Sequence, residues 1–464
     1  MTELVASVAS VMKQALVPGL ALGLVGPGEN LLRGFGVTSL PNPLSVDTDT
    51  IFVAASITKT CVATTVMRLL DRGQLELDKP IRSYLPDLRL ADESVAAAVT
   101  LRHLMTHTAG WVGDEFEASD FGLGDDALAR AVATFGNRPQ ILPLGSQWSY
   151  NNSGFWLAGR VIEVVAGKSL EAAITEILFR PLGMNNSFFF EADAITRRCA
   201  VGHVVGENGE MVVARPWSTT RASHAAGGWL TTITDLMTYA RFHLDDGRAA
   251  DGSRVLSQAA LHSMREPQFP GAGPESAGIG WVVRDVAGQR VLSHGGDWNG
   301  QQSLLTLVPG RGIAIATLAN SGLARLANND IAAWALRRYL GEADPEPIPN
   351  EEVDDRVEAL VGRYVLPGAS VEIVSRGPRL GINYRSKPLP GIYNPSVPEL
   401  RAALTTDGRI VLLDGPFRGV TGEFSIGTGG IVEWVRIGGR IYPRESDPRK
   451  DPPHPGRSGD GAAS

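Results

Sequence analysis

The chain has 464 residues, 43% of them hydrophobic and 20% charged, which suits a large globular protein of roughly three ordinary domains and not a disordered one. Its formal net charge is −7 and its sequence pI about 5.7, which argues against a nucleic-acid interface or an anionic-membrane surface, since both need a basic face. The 2 cysteines, Cys61 and Cys199, are too few for a secreted disulfide framework, and no apolar run approaches the ~20 residues that span a bilayer. The N-terminus lacks the basic region and apolar core of an export signal, so the chain reads as cytoplasmic.

In chain order, residues 20–25 and 31–37 read as two short strands around the turn-rich 26–30 segment. Val62, Val66, Leu69 and Leu70 then recur at helix spacing, with Gly73 as a stop. Further helices are expected near 99–105, 125–134 and 154–165. Residues 279–283, 290–293, 303–308 and 313–319 read as an antiparallel meander, with a hairpin turn at Pro309-Gly310-Arg311-Gly312. A helix follows over 323–340. The expected fold class is α/β (α+β): one antiparallel sheet built from both ends of residues 1–342, flanked by helices, with a helical subdomain inserted. A Pro-rich, acidic linker spans 343–358. Residues 359–445 are almost wholly strand and turn, which fits a small all-β barrel or sandwich. The polar, Pro- and Gly-rich 446–464 tail is expected to be disordered.

Three segments carry chemistry. In Ser56-Ile57-Thr58-Lys59 the hydroxyl and the amine share one helix face, so the lysine can take the serine's proton. A serine at a helix start also has free backbone N–H groups for developing negative charge. Alone, Ser-x-x-Lys is more often a solvated helix face. Tyr150-Asn151-Asn152 follows a loop and precedes a helix. Its tyrosine can shuttle a proton beside cations, and the Asn152 amide can orient Lys59 and a substrate carbonyl. The plain alternative is an asparagine N-cap with a half-buried tyrosine. His294-Gly295-Gly296-Asp297 follows the expected 290–293 strand, and paired glycines let a ligand approach the backbone. An N–H just beyond them can complete an oxyanion hole with that of Ser56. Otherwise the segment is a strand-end turn with a surface histidine.

Together the three resemble, in order and spacing, the Ser-x-x-Lys, Tyr-x-Asn and Lys/His-x-Gly motifs of serine β-lactamase and penicillin-binding-protein-like enzymes, in the class C branch. Leu104-Met105-Thr106-His107-Thr108-Ala109-Gly110, Pro181-Leu182-Gly183-Met184 and Ala226-Gly227-Gly228-Trp229-Leu230 are also similar to that family. The resemblance implies that Ser56 forms the acyl-enzyme and that Lys59 and Tyr150 share general acid and base work. It further implies that Asn152 positions Lys59 and substrate, and that His294 contacts substrate or tunes Tyr150. The N–H groups of Ser56 and Asp297 would form the oxyanion hole, with Gly295, Gly296 and Trp298 beside the substrate. Trp298 serves equally well as a structural residue. No cofactor and no metal are called for.

Many β-lactamases carry lysine where His294 stands. A histidine of pKa ~6.5 is mostly neutral at pH 7 unless a carboxylate such as Asp297 raises it. That disfavours substrates with a free carboxylate. It resembles instead D-aminopeptidases, esterases and the penicillin-binding-protein-type thioesterases that cyclise nonribosomal peptides, some of which carry a lipocalin-like domain similar to the region opening at Leu360-Val361-Gly362-Arg363-Tyr364. The expected partner is a small-molecule or peptide acyl substrate, delivered in the thioesterase case by a carrier protein. A β-lactamase and a non-catalytic ligand sensor are the competing readings. His103 and His107 stand four apart, as zinc ligands can, but no glutamate follows His103. Gly167-Lys168-Ser169 lacks the first glycine of a phosphate loop. Glu115, Glu117 and Asp120 read as a solvated acidic loop.

Overall fold

The structure, a computed structural model, describes residues 2–113, 120–351, 356–387 and 397–445. The 446–464 tail, Glu115 and Glu117 lie outside the described residues.

The strands β1 (Gly19–Gly26) and β2 (Glu29–Gly36) form a hairpin. Two short ribbons follow, β3 (Phe52–Val53) with β6 (Leu230–Thr231), and β4 (His203–Val205) with β5 (Met211–Val213). The main sheet then resumes with β7 (Phe269–Pro270), β8 (Ser276–Ala277), β9 (Val282–Val286), β10 (Gln289–Trp298), β11 (Gln301–Val308) and β12 (Ile313–Ala319). Its order is β2-β1-β12-β11-β10-β9-β8-β7, antiparallel at each pairing. Pairing β1 with β12 joins the two ends of residues 1–342, as the strand-helix-strand order of the sequence implies.

Both faces of this sheet are covered. Leu20, Leu22 and Leu24 pack with Leu4 and Val8 of the helix Thr2–Gln14 and with Ile331 and Ala335 of the helix Arg325–Leu340. Ala21, Ala316 and Leu318 face a larger core with Val62 and Val66 of the helix Thr58–Asp71 and Ile233 and Met237 of the helix Ile233–Leu244. Each fully buried aliphatic side chain contributes roughly 1.5–3 kcal/mol, which is what holds the three layers together.

Two strands depart from expectation. β9 begins at Val282 and not at residue 279, because Ile279 and Gly280 donate their N–H groups to the carbonyls of Met264 and Met105, outside the sheet. β10 does not stop at Ser293. It runs through His294-Gly295-Gly296-Asp297 to Trp298, paired with β11 as far as Trp298 opposite Gln301.

The second half is a nearly closed barrel. Its strands are β13 (Gly362–Leu366), β14 (Ala369–Arg376), β15 (Arg379–Ser386), β16 (Leu400–Leu404), β17 (Ile410–Leu412), β18 (Thr421–Ile426), β19 (Val432–Ile437) and β20 (Arg440–Pro443). They pair in sequence order, and a bridge between Tyr364 and Arg444 brings the last strand back to the first. Val371, Ile373, Leu380, Ile382 and Val435 fill the interior. The short helix Arg356–Leu360 adds Val357 and Leu360 to that core, so the 358/359 boundary expected from the sequence falls inside a helix.

Candidate active site

Ser56 sits in a 3-10 turn, Ala55–Ile57, that leads into the helix Thr58–Asp71. Ala55 has φ +48°, a conformation that costs a non-glycine residue energy and that commonly marks a functional site. The turn is pinned from several sides. Thr58 Oγ1 donates to Ala55 O at 2.6 Å and accepts from Trp229 N at 3.0 Å, while Ala54 N donates to Trp229 O at 2.8 Å. Lys59 lies one turn on and is fully buried. Its Nζ donates to Ser56 Oγ at 3.2 Å and to Ala226 O at 2.7 Å. The Ala226–Leu230 segment thus holds both the turn that carries Ser56 and the lysine.

Tyr150 and Asn152 stand at the start of the helix Asn152–Ala166. The cap is Asn151, whose Oδ1 accepts from Gly154 N at 2.8 Å, which leaves the buried Asn152 as the first helical residue. The capping role therefore falls to Asn151 and not to Asn152. Lys59 Nζ is 5.0 Å from the Tyr150 ring centroid and 5.6 Å from that of Phe155. His107 stacks obliquely on Tyr150 at 4.4 Å, and its Nδ1 accepts from Asn151 N at 3.0 Å. Burial, then the charge of Lys59, holds His107 well below the usual histidine range.

His294 reaches the same place from β10, its ring 6.4 Å from that of Tyr150. Its Nδ1 lies 2.7 Å from Gly295 O. Burial, then the charge of Lys59, lowers its pKa to about 4, so it is neutral at pH 7. Asp297 does not raise it. The strand alternates its faces, and Asp297 turns away to accept from Gln302 Nε2 at 2.9 Å, with Arg325 at 3.7 Å. Gly296 is where β10 touches the turn that carries Ser56: a Cβ there would stand 2.2 Å from Ala54 O and 2.3 Å from Ser303 Oγ. Ser303 Oγ donates to Ala54 O at 2.7 Å and fixes the contact. Gly295 is exposed, and Trp298 packs with Ile51, Val53, Ala55 and Leu230 as part of a small core.

A small cleft adjoins Tyr150 and His294, with Met105, His107, Trp148, Glu275 and Trp281 in its wall. Ser56, Lys59, Tyr150 and His294 are thus brought together. His107, Phe155 and Ala226 were not singled out for this site by their chemistry, although His107 and Ala226 lie in segments that resemble the family's. Arg440, whose guanidinium carbon is 4.9 Å from the Tyr150 ring centroid, carries no local signal at all.

The remaining motifs have structural roles. His103 Nδ1 contacts Thr100 Oγ1 at 2.8 Å in a capping box, away from His107. Gly167, at φ +64°, ends one helix, and Ser169 caps the next. Among the described residues no group of His, Cys, Asp and Glu could hold a metal ion, and no helix is long and apolar enough to cross a membrane.

The family model for Beta-lactamase matches residues 4–337. Penicillin-binding protein 4 of Amycolatopsis lactamdurans is 36% identical over 366 residues, covering 76% of this chain and 94% of that protein. The D-alanyl-D-alanine-carboxypeptidase/endopeptidase AmpH of Escherichia coli K12 is 24% identical over 330 residues, covering 67% of this chain and 81% of that protein. The crystal structure of SurE aligns with a TM-score of 0.72 at 25% identity, over 96% of this chain and 99% of that chain. With the side chains of the three motifs brought next to one another and these matches alongside, the chain belongs to the β-lactamase and penicillin-binding-protein family of serine hydrolases.

Proposed function

We propose that the protein is a serine hydrolase or acyltransferase that forms an acyl-enzyme on Ser56 with ester, thioester or amide substrates, D-configured peptides among them. The observation that carries this reading is the 3.2 Å contact between Lys59 Nζ and Ser56 Oγ beside Tyr150. In the protonated state the ammonium donates to the hydroxyl oxygen. Once the lysine is neutral, the same contact lets it accept the hydroxyl proton, directly or through the phenol. Ser56 Oγ then bonds to the substrate carbonyl carbon. The N–H groups of Ser56 and Asp297 stabilise the oxyanion, an arrangement favoured by the seating of Gly296 on Ala54. Collapse breaks the bond to the leaving oxygen, sulfur or nitrogen, which takes the proton back. Water then repeats the sequence and frees the acid.

Neutral His294 offers no fixed charge to a substrate carboxylate. A charge-assisted hydrogen bond contributes roughly 1.5–3 kcal/mol against about 1 for a neutral one, which corresponds to about tenfold in affinity. AmpH is named as a D-alanyl-D-alanine-carboxypeptidase/endopeptidase, which supports D-configured peptides as substrates of this chain, although the terminal carboxylate of a carboxypeptidase substrate is the part that a neutral His294 disfavours. A second reading has an amine replace water and close a peptide ring. It is favoured by the barrel fused to the catalytic half, the architecture of the lipocalin-bearing thioesterases that the sequence resembles. A carrier protein would then deliver the thioester.

The test is kcat/KM for nitrocefin and for a neutral p-nitrophenyl ester or thioester, in wild type and His294→Lys. Wild type should prefer the neutral substrate, and the variant should shift about tenfold toward nitrocefin. Efficient nitrocefin hydrolysis by wild type, at or above the neutral substrate, would restore the β-lactamase alternative.

A further inference from the structure

The C-terminal barrel reaches the catalytic tyrosine. Its last hairpin turns at Gly438 and Gly439 between β19 and β20 and lies along the segment just before the helix Asn152–Ala166. Tyr150 N donates to Gly439 O at 2.8 Å, and Ile441 N donates to Ser149 Oγ at 3.2 Å. Gly439 has φ +80°, and a Cβ there would stand 3.1 Å from the Trp148 ring, so both backbone and space call for glycine. On the same strip, the Arg436 guanidinium carbon lies 5.6 Å from the Trp148 ring centroid. Arg440 follows, half-buried, with its guanidinium carbon 4.9 Å from the Tyr150 ring centroid. That charge also acts on His107 and on Asp297.

The titratable groups around Tyr150 come from every element packed there. Lys59 arrives from the helix Thr58–Asp71, His107 from beyond the helix Leu101–Met105, His294 from β10, Arg440 from β20, and Glu275 from the loop before β8 across the cleft. Burial keeps both histidines low and raises the Glu275 carboxyl, so each is biased toward its neutral form. Lys59 must change its charge if it works as a base. A guanidinium does not deprotonate in proteins, which makes Arg440 the fixed cation of the set.

We propose that Arg440 is a positioning residue for catalysis: carried in by the C-terminal hairpin, it stabilises negative charge on the Tyr150 phenolic oxygen during proton transfer and so makes the barrel part of the catalytic apparatus. This rests on the reading in which Ser56 is the nucleophile and Tyr150 lies in its proton path. An opposite charge within a few ångströms favours the ionised form of a phenol, and part-burial limits how far water screens it. The Gly439 carbonyl meanwhile holds the Tyr150 backbone, so a single hairpin sets both the position and the field of that side chain.

The test is the rate of Ser56 acylation by a fluorophosphonate against pH, on full-length wild type, Arg440→Gln, Arg440→Lys and Tyr150→Phe. In Arg440→Gln the acidic limb should move up by roughly half to one pH unit, which slows acylation about three- to tenfold on that limb. Arg440→Lys should leave the limb near its wild-type position, because the charge is kept. A limb unmoved in Arg440→Gln, while Tyr150→Phe remains impaired, would overturn the inference and leave the acyl-enzyme reading standing. So would a uniform fall in rate with an unmoved limb and a lowered Tm, which would make Arg440 a packing residue. Acylation of Tyr150→Phe at the wild-type rate would instead remove the underlying reading first.

Discussion

The sheet from β2 to β7 and the sheet from β13 to β20 each contain eight antiparallel strands, yet the first stays open and the second curls until its end strands meet. The open sheet buries both faces under helices, with Leu20, Leu22 and Leu24 on one side and Ala21 on the other. Its layers meet at the start of the helix Thr58–Asp71, where strand β10 and two helices bring Lys59, Tyr150 and His294 close together. The barrel turns its apolar residues inward and needs no such layers. What it offers the site is the end of one hairpin. Substitutions inside the barrel should therefore read out as stability, and substitutions at its hairpin end as chemistry.

The largest effects should fall in the open half. Lys59→Ala and Tyr150→Phe should each lower kcat by about 10²–10⁴, the usual range for a positioned acid or base. The double mutant should be little worse than the poorer single one, because a shared proton path fails when either member is gone. Effects that multiply would show that one of the two works outside the cluster.

Truncation after Asn350 comes next and bears on the comparison itself. It removes the Gly439 carbonyl from Tyr150 N and the Arg440 charge from the ring. Turnover should fall about tenfold or more, in line with losing a fixed charge near the reacting groups. A soluble fragment ending at Asn350, with unchanged kcat/KM and selectivity, would break the link between barrel and site.

A smaller change sharpens the contrast. Ile373, buried in the barrel core, should cost about 2–5 kcal/mol of barrel stability as Ile373→Ala, measured by denaturant unfolding. The kcat of the folded fraction should not change. A fall in kcat at full folding would mean that the barrel interior, and not only its hairpin, tunes the site.

The pH dependence of stability should show the smallest effect. The folded-state pKa of His294 lies at about 4, below its ordinary 6.5, and His107 is shifted the same way. Between those values the unfolded chain binds protons that the folded chain refuses. Stability should therefore fall as pH drops from about 6.5 towards 4. His294→Gln should flatten that slope, as read from urea midpoints across the range. An unchanged slope would mean that His294 takes up its proton in the folded state.

The catalytic half was largely legible in the sequence because its signals are local. Ser56 and Lys59 share a helix face through a spacing of three, and the loop before Tyr150 announces the helix that presents it. One local signal misled and another was weak. The paired glycines at 295 and 296 read as the end of a strand, whereas β10 continues because Gly296 has to lie flat against Ala54. The helix Thr2–Gln14 is marked chiefly by the recurrence of Leu4, Val8 and Met12 at helix spacing. Arg440 was beyond reach for a different reason. Ser149 and Ile441 hydrogen-bond across 292 positions of sequence, and no pattern around a Gly-Gly-Arg turn tells which surface it will touch.

The central claim is that Ser56 is the acylated residue, and intact mass tests it most directly. Wild type and Ser56→Ala would be treated with a fluorophosphonate or an activated ester, and the adduct located by peptide mapping. Ser56→Ala should keep its fold, because a small change in an open cleft rarely destabilises much. Wild type should carry a single adduct on the peptide containing Ser56, and the variant none. A stable adduct forming in Ser56→Ala at the wild-type rate would contradict the assignment.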